Sequence, residues 1–187
     1  QLIVEAGIHL DALHLLTWNA GPGSFTGLRI GASVIQALAY SFNLPVLSLS
    51  SLEILAHAAQ RNACSALSDN PVSIAVATDA RMSGVYWASF LSQASNLERL
   101  EHDQLLAKEI LEDKRKALGD QCFVVSDAGA LIESAEGQVV AVEISAANVM
   151  ALAVTKDKKS WLMNPVDCLP NYVHHTINWQ KRQLRGH

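Results

Sequence analysis

The sequence predicts an α/β protein in two parts, from three observations. Two short apolar runs, residues 13–18 and 46–49, each precede a segment of helix length, so the first third reads strand, helix, strand, helix. That order implies parallel strands joined by right-handed crossovers. Residues 62–71 (Asn-Ala-Cys-Ser-Ala-Leu-Ser-Asp-Asn-Pro) have linker composition and separate this part from one richer in strand signals.

The run at 13–18 suits a buried strand, and Gly21-Pro22-Gly23 breaks it, because glycine reaches positive φ while proline fixes its own. Ser24 and Thr26 are each able to cap the first free amides of a helix. The helix runs from Thr26 to Phe42 and stops at Asn43-Leu44-Pro45. Its polar positions Arg29, Ser33, Gln36 and Tyr40 fall at spacings of four, three and four, so they make one narrow stripe. Leu28, Ile30, Ala32, Val34, Ile35, Ala37, Leu38 and Ala39 fill the rest of the circumference, more apolar surface than one sheet covers. Gly27 and Gly31, one turn apart, allow another helix to approach. Two readings fit: a central helix of an α/β domain, or a helix that also serves a partner protein.

After residues 46–49, Ser50 or Ser51 opens a helix to about Arg61. Residues 72–78 alternate as a strand, Asp79-Ala80-Arg81-Met82-Ser83-Gly84 supplies turn residues, and the aromatic-rich 85–91 completes a hairpin. Leu105, Leu106, Ile110, Leu111 and Leu118, with charges between them, predict an amphipathic helix over 104–118 that ends at Gly119. Strands at 123–126 and 139–142, helices at 129–134 and 146–156, and an edge strand within 168–176 complete the reading. The expected domains are residues 1–65 and 66–187. The chain opens at Gln1 inside an apolar segment, Leu2-Ile3-Val4, and its first part holds too little sheet for its helices, so a preceding N-terminal piece is expected.

Half of the 187 residues are hydrophobic, the net charge is -4 and the pI is near 5.9, which suits a globular chain rather than a disordered one. No run reaches the roughly 18 apolar residues of a membrane span. Cys64, Cys122 and Cys168 are odd in number and far apart, without a Cys-x-x-Cys pair, which fits a reducing cytosol better than a disulfide framework or a zinc site. The acidic balance argues against a protein that grips nucleic acid by itself.

A search for chemistry finds little. The glycine loop before a helix suits a phosphate, but there is no Gly-Lys-Ser/Thr, and Gly21-x-Gly23-x-x-x-Gly27 is one residue longer than the dinucleotide fingerprint. The seven histidines include no i, i+4 pair with a carboxylate between, and adjacent His174 and His175 would point to opposite faces of a strand. Ser24 lies in Gly-x-Gly-Ser, not in a nucleophile elbow. Asp79 and Arg81 fit turn chemistry, and Trp87 and Trp161 fit core or interface aromatics.

Gly-Pro-Gly-Ser-Phe-Thr-Gly-Leu-Arg-Ile-Gly at 21–31, Leu-Ser-Ser-Leu-Glu at 49–53 and Asp-Ala-Arg-Met-Ser-Gly-Val-Tyr-Trp at 79–87 resemble the bacterial TsaB (YeaZ) family. The likeness covers nearly all of the chain, weakens between Ser92 and Lys159, and returns at Pro170-Asn171-Tyr172-Val173. It implies a two-domain actin-like, sugar-kinase-like and Hsp70-like fold whose N-terminal domain is incomplete here, since the family's opening ribbon with its Asp-Thr phosphate turn has no counterpart. It also implies a cytoplasmic role in threonylcarbamoyladenosine modification of tRNAs beside the anticodon.

By the same resemblance the chain is an accessory subunit without its own active site. The related catalytic subunit TsaD holds a metal with a His-x-x-x-His pair, and Ser51 and Leu55 stand at those positions here. The helix after the Gly-Pro-Gly loop pairs with its counterpart in TsaD, or in a second copy, which places Gly27, Leu28, Gly31, Ile35 and Leu38 at a partner interface. TsaE joins the larger complex, tRNA is met only through it, and ATP belongs to the assembly rather than to this chain alone. The family's Tyr-Leu-Arg near the C-terminus is Tyr172-Val173-His174 here. The alternative is an ATP-dependent phosphotransferase or a peptidase of the same fold acting alone.

Overall fold

A computed structural model describes residues 2–63, 70–80, 84–119, 122–126, 139–162 and 164–173. After the short helix α1 (Leu2–Glu5), β1 (Leu16–Gly21) and β2 (Val46–Ser50) pair in parallel across α2 (Phe25–Phe42). A second sheet holds β3 (Val72–Asp79), β4 (Gly84–Gln93), β5 (Asn96–Ala107), β6 (Cys122–Ser126) and β7 (Val139–Ala141) in the order β5-β4-β3-β6-β7. It is mixed: β3, β4 and β5 form an antiparallel meander, while β6 runs parallel to β3 and β7 parallel to β6.

Helix α3 (Ser51–Ala63) lies between the sheets and serves both. Leu52, Leu55, Ala56 and Ala59 pack with Ile74, Val76, Ala88 and Phe90 of the second sheet. Ile54 turns to Leu47 and Leu49 of the first, together with Val149 and Leu152 of α5 (Ala146–Ala153). Its apolar residues are therefore covered on both sides, while Glu53, His57 and Gln60 are among its polar positions. On its other face the second sheet closes Trp87, Val85 and Leu106 against Leu111 and Leu118, at the two ends of α4 (Leu111–Ala117). The later chain also returns to the first sheet, where Leu162 bridges Val46 in antiparallel sense.

Several expectations need correction. The first strand starts at Leu16 rather than 13 and runs to Gly21, whose φ of +104° ends it. Residues 104–107 are not helical. They close β5, where Leu105 pairs with Tyr86 and Leu106 with Val85, and the helix is confined to Leu111–Ala117. Cross-strand pairing and burial of Leu106 outweigh local helix propensity there. The expected edge strand does not form over the described residues 168–173, which cross the end of β1 with a single backbone hydrogen bond, Asn171 N to Ala20 O. The helix expected at 146–156 stops at Ala153. The expected helix at 129–134, Arg81 in the hairpin turn and the histidines at 174 and 175 lie outside the described residues.

Candidate functional site

Helix α2 carries the candidate site, and its three faces differ: one meets the chain's own core, one the C-terminal segment, and one is open. Ser24 caps it by accepting from the Gly27 amide at 3.4 Å, and Asn43 ends it in the left-handed region at φ 49°. The inward row is Leu28, Ala32, Ile35 and Ala39, all buried. Ala32, Ile35 and Ala39 cluster with Trp18, Val46 and Cys168, and Gly31 sits against the Trp18 indole.

The polar stripe meets the C-terminal segment. Gln36 Nε2 donates to the Cys168 carbonyl at 3.0 Å, and Arg29 Nε donates to Tyr172 Oη at 3.2 Å. The Arg29 guanidinium also lies 3.8 Å from the centre of the Phe25 ring, which packs at 5.6 Å from the Tyr172 ring. Two residues of the narrow stripe, Arg29 and Gln36, therefore hold residues 168–172 in place.

The third face is open. Ile30 is 61% exposed and Val34 53%, and Ala37 and Ser41 are exposed with them. Residues 30, 34, 37 and 41 share one side of a helix. The five expected interface residues fall on different faces of the helix. Leu28 and Ile35 are buried in the chain's own core, Gly31 faces Trp18, Leu38 is half-buried, and Gly27 is exposed. Ile30 and Val34, outside the expected set, head the exposed row; Trp18 under Gly31 and residues 168–172 on Arg29 and Gln36 fix that phase.

Beside the α2 N-terminus a cleft of about 700 Å³ opens at the carboxyl ends of β1 and β2, lined by Asn19, Ser24, Thr26, Ser51, Thr78 and Tyr86 among others. Asn19 Oδ1 accepts from the Gly21 amide at 3.0 Å and from Ser51 Oγ at 2.6 Å, which ties β1 to the start of α3. The described lining offers hydroxyls, amides and the Asp79 carboxylate, and no Lys or Arg. Ser51 Oγ donates to Asn19, and Leu55 is sealed in the apolar core. His57, two residues beyond Leu55 on α3, is buried with its Nδ1 lacking a hydrogen-bond partner, and burial with the charges of Arg61 and Lys156 lowers its pKa against the pull of Glu53.

A family model described as TsaD: tRNA N6-adenosine threonylcarbamoyltransferase matches residues 1–113. Curated proteins named tRNA threonylcarbamoyladenosine biosynthesis protein TsaB are similar too. That of Buchnera aphidicola subsp. Acyrthosiphon pisum is 30% identical over 134 residues, 71% of this chain and 58% of the relative. That of Escherichia coli K12 is 30% identical over 126 residues, 67% and 52%. The chain belongs to the TsaB family. A crystal structure from Pseudomonas aeruginosa, described as similar to peptidase YeaZ, superposes with a TM-score of 0.75 at 29% identity, covering 92% of this chain and 79% of that one. The chain spans a little over half the length of these two curated TsaB relatives.

Proposed function

We propose that this chain is an accessory subunit of the machinery that makes threonylcarbamoyladenosine in tRNA, docking the catalytic subunit TsaD through the exposed face of α2. The observation that carries this reading is the row of Ile30, Val34 and Ala37, apolar and open on a helix that packs its opposite face on the chain's own core and holds residues 168–172 through Arg29 and Gln36. The names of the TsaB relatives and the TsaD-like match over residues 1–113 support the choice of process and partner. In this reading the fold is a two-domain actin-like, sugar-kinase-like and Hsp70-like one, the chain works in the cytoplasm without an active site of its own, and it pairs with a second copy when TsaD is absent. TsaE joins the assembly, and tRNA is engaged only by the whole. In the same reading ATP belongs to that assembly rather than to this chain alone.

The cleft itself favours a second reading, an ATP-dependent phosphotransferase or a peptidase acting alone. One set of measurements separates them. Titration of the chain with purified TsaD should give a defined heterodimer by light scattering, and Val34→Asp should weaken it by at least about tenfold, because a carboxylate would be desolvated at the contact. Equal TsaD affinity for Val34→Asp and the parent overturns the docking face, and turnover of ATP or peptide by the isolated chain overturns the accessory role.

A further inference from the structure

Residues 164–173 touch both sheets and the helix above them. Gln36 on α2 holds the Cys168 carbonyl, and the Asn171 amide donates to the Ala20 carbonyl at the end of β1, 2.7 Å away. The Asn171 side chain reaches the other way, its Nδ2 donating to Asp103 Oδ2 on β5 at 2.6 Å. The Asp103 side chain is only 8% exposed, and its second oxygen accepts from Arg99 at 2.6 Å. Arg99 in turn pairs with Glu53 of α3 at 3.3 Å, and Glu53 also holds Lys156 just beyond α5. Polar contacts therefore run unbroken from the surface helix, through the C-terminal segment, into an ion cluster shared by β5, α3 and the end of α5.

We propose that residues 164–173 are a strap that couples α2 to this ion cluster and holds the two sheets in one orientation, with Asn171 as its buckle. Asn171 suits that role by chemistry. Its main-chain N–H serves one sheet while its amide NH2 gives a buried carboxylate on the other a donor, and an aspartate there would set two carboxylates against each other. The first sheet makes room for it: a Cβ on Gly21 would stand 3.2 Å from the Asn171 carbonyl oxygen. The strap does not depend on what docks on α2.

Amide hydrogen exchange on the 187-residue chain tests the coupling. Asn171→Ala should raise exchange at least about tenfold at the end of β1, at the start of α2 and in β5 around Asp103, with the far-ultraviolet spectrum unchanged. Gln36→Ala, which touches only the strap, should raise exchange in β5 by about threefold or more. A rise confined to residues 164–173 in both variants overturns the proposal. If Asn171→Ala does not fold, the charge swap decides: Asn171→Asp should loosen β5, and adding Asp103→Asn should restore its protection, because amide and carboxylate then face each other in reverse. A double variant no better protected than Asn171→Asp alone also overturns it.

Discussion

Gly31 of α2 lies flat against Trp18 of β1: a Cβ at Gly31 would sit 3.4 Å from the indole Cε3 and 3.5 Å from Cζ3. The glycine thus admits the chain's own tryptophan. Gly31→Ala places a methyl in ordinary contact and removes a flexible residue from a helix, so urea unfolding should show equal or higher stability, by up to about 1 kcal/mol. Gly31→Leu drives a branched side chain into the indole, whose Nε1 is held by Ser48 Oγ at 2.9 Å, and should cost about 1–3 kcal/mol. Stability unchanged in Gly31→Leu would mean that α2 presents a different face to β1.

Gly21 is constrained more tightly. Its φ of +104° lies where side chains are rarely found, and an added Cβ would meet Leu28 Cδ1 at 2.8 Å. Gly21→Ala is expected to lose about 1–3 kcal/mol, read from the denaturation midpoint. Adding Leu28→Val trims the clash but leaves the backbone strain, so the double variant should recover nothing beyond the steric part. Recovery to the parent value would show that the backbone conformation costs nothing.

Much of this was legible in the sequence, and the parts that were not share a cause. Gly21-Pro22-Gly23, Ser24 and Asn43 fixed both ends of α2 through local chemistry alone, and the β3–β4 hairpin followed from its turn residues. Strand β5 was missed because several of its partly buried positions, Arg99, Glu101 and Asp103, are charged. Their partners Glu53, Lys114 and Asn171 lie 46, 13 and 68 residues away in sequence, so no apolar alternation announces the strand. The phase of α2 was hidden for the opposite reason. The narrow polar stripe of α2 leaves two apolar rows beside it, Leu28-Ala32-Ile35-Ala39 and Ile30-Val34-Ala37, and Trp18 with the strap on Arg29 and Gln36 decides which one stays open.

Glu101 is one of those charged strand residues and sets a pH dependence. Burial opposes its charge, but hydrogen bonds from Lys114, Trp87 Nε1 (2.8 Å) and Ser89 Oγ (3.0 Å) prevail and hold its pKa at about 2, below the ordinary 4.5. A carboxyl with a depressed folded pKa contributes stability that is complete above its unfolded value and fades as pH falls from 4.5 towards 2. The side chain is 31% exposed, so solvent screening reduces the contribution to about 1–2 kcal/mol. Glu101→Gln should be less stable than the parent by that amount at pH 7, and the two curves should converge at the acid end. Parallel curves down to the acid limit would remove Glu101 as the titrating group.

His57 works with the opposite ionic sign and in a milder range. Its ring is buried, its Nδ1 has no hydrogen-bond partner, and burial followed by Arg61 and Lys156 lowers its pKa from 6.5, with Glu53 alone pulling upward. The folded chain thus holds a neutral imidazole, while the unfolded chain takes up a proton near pH 6.5. Stability is therefore full above that pH and declines as the solution is acidified through 6.5 towards the lower folded value, because protonation would set a third positive charge between α3 and the end of α5. His57→Gln keeps a polar, neutral side chain of similar reach. Its unfolding free energy should fall less steeply between pH 7 and pH 5 than that of the parent, measured by urea titration at closely spaced pH values. Identical slopes for both proteins would show that the buried imidazole does not govern acid sensitivity. If the slopes differ but Lys156→Gln leaves the parent slope untouched, desolvation alone, without the neighbouring ammonium, sets the effect.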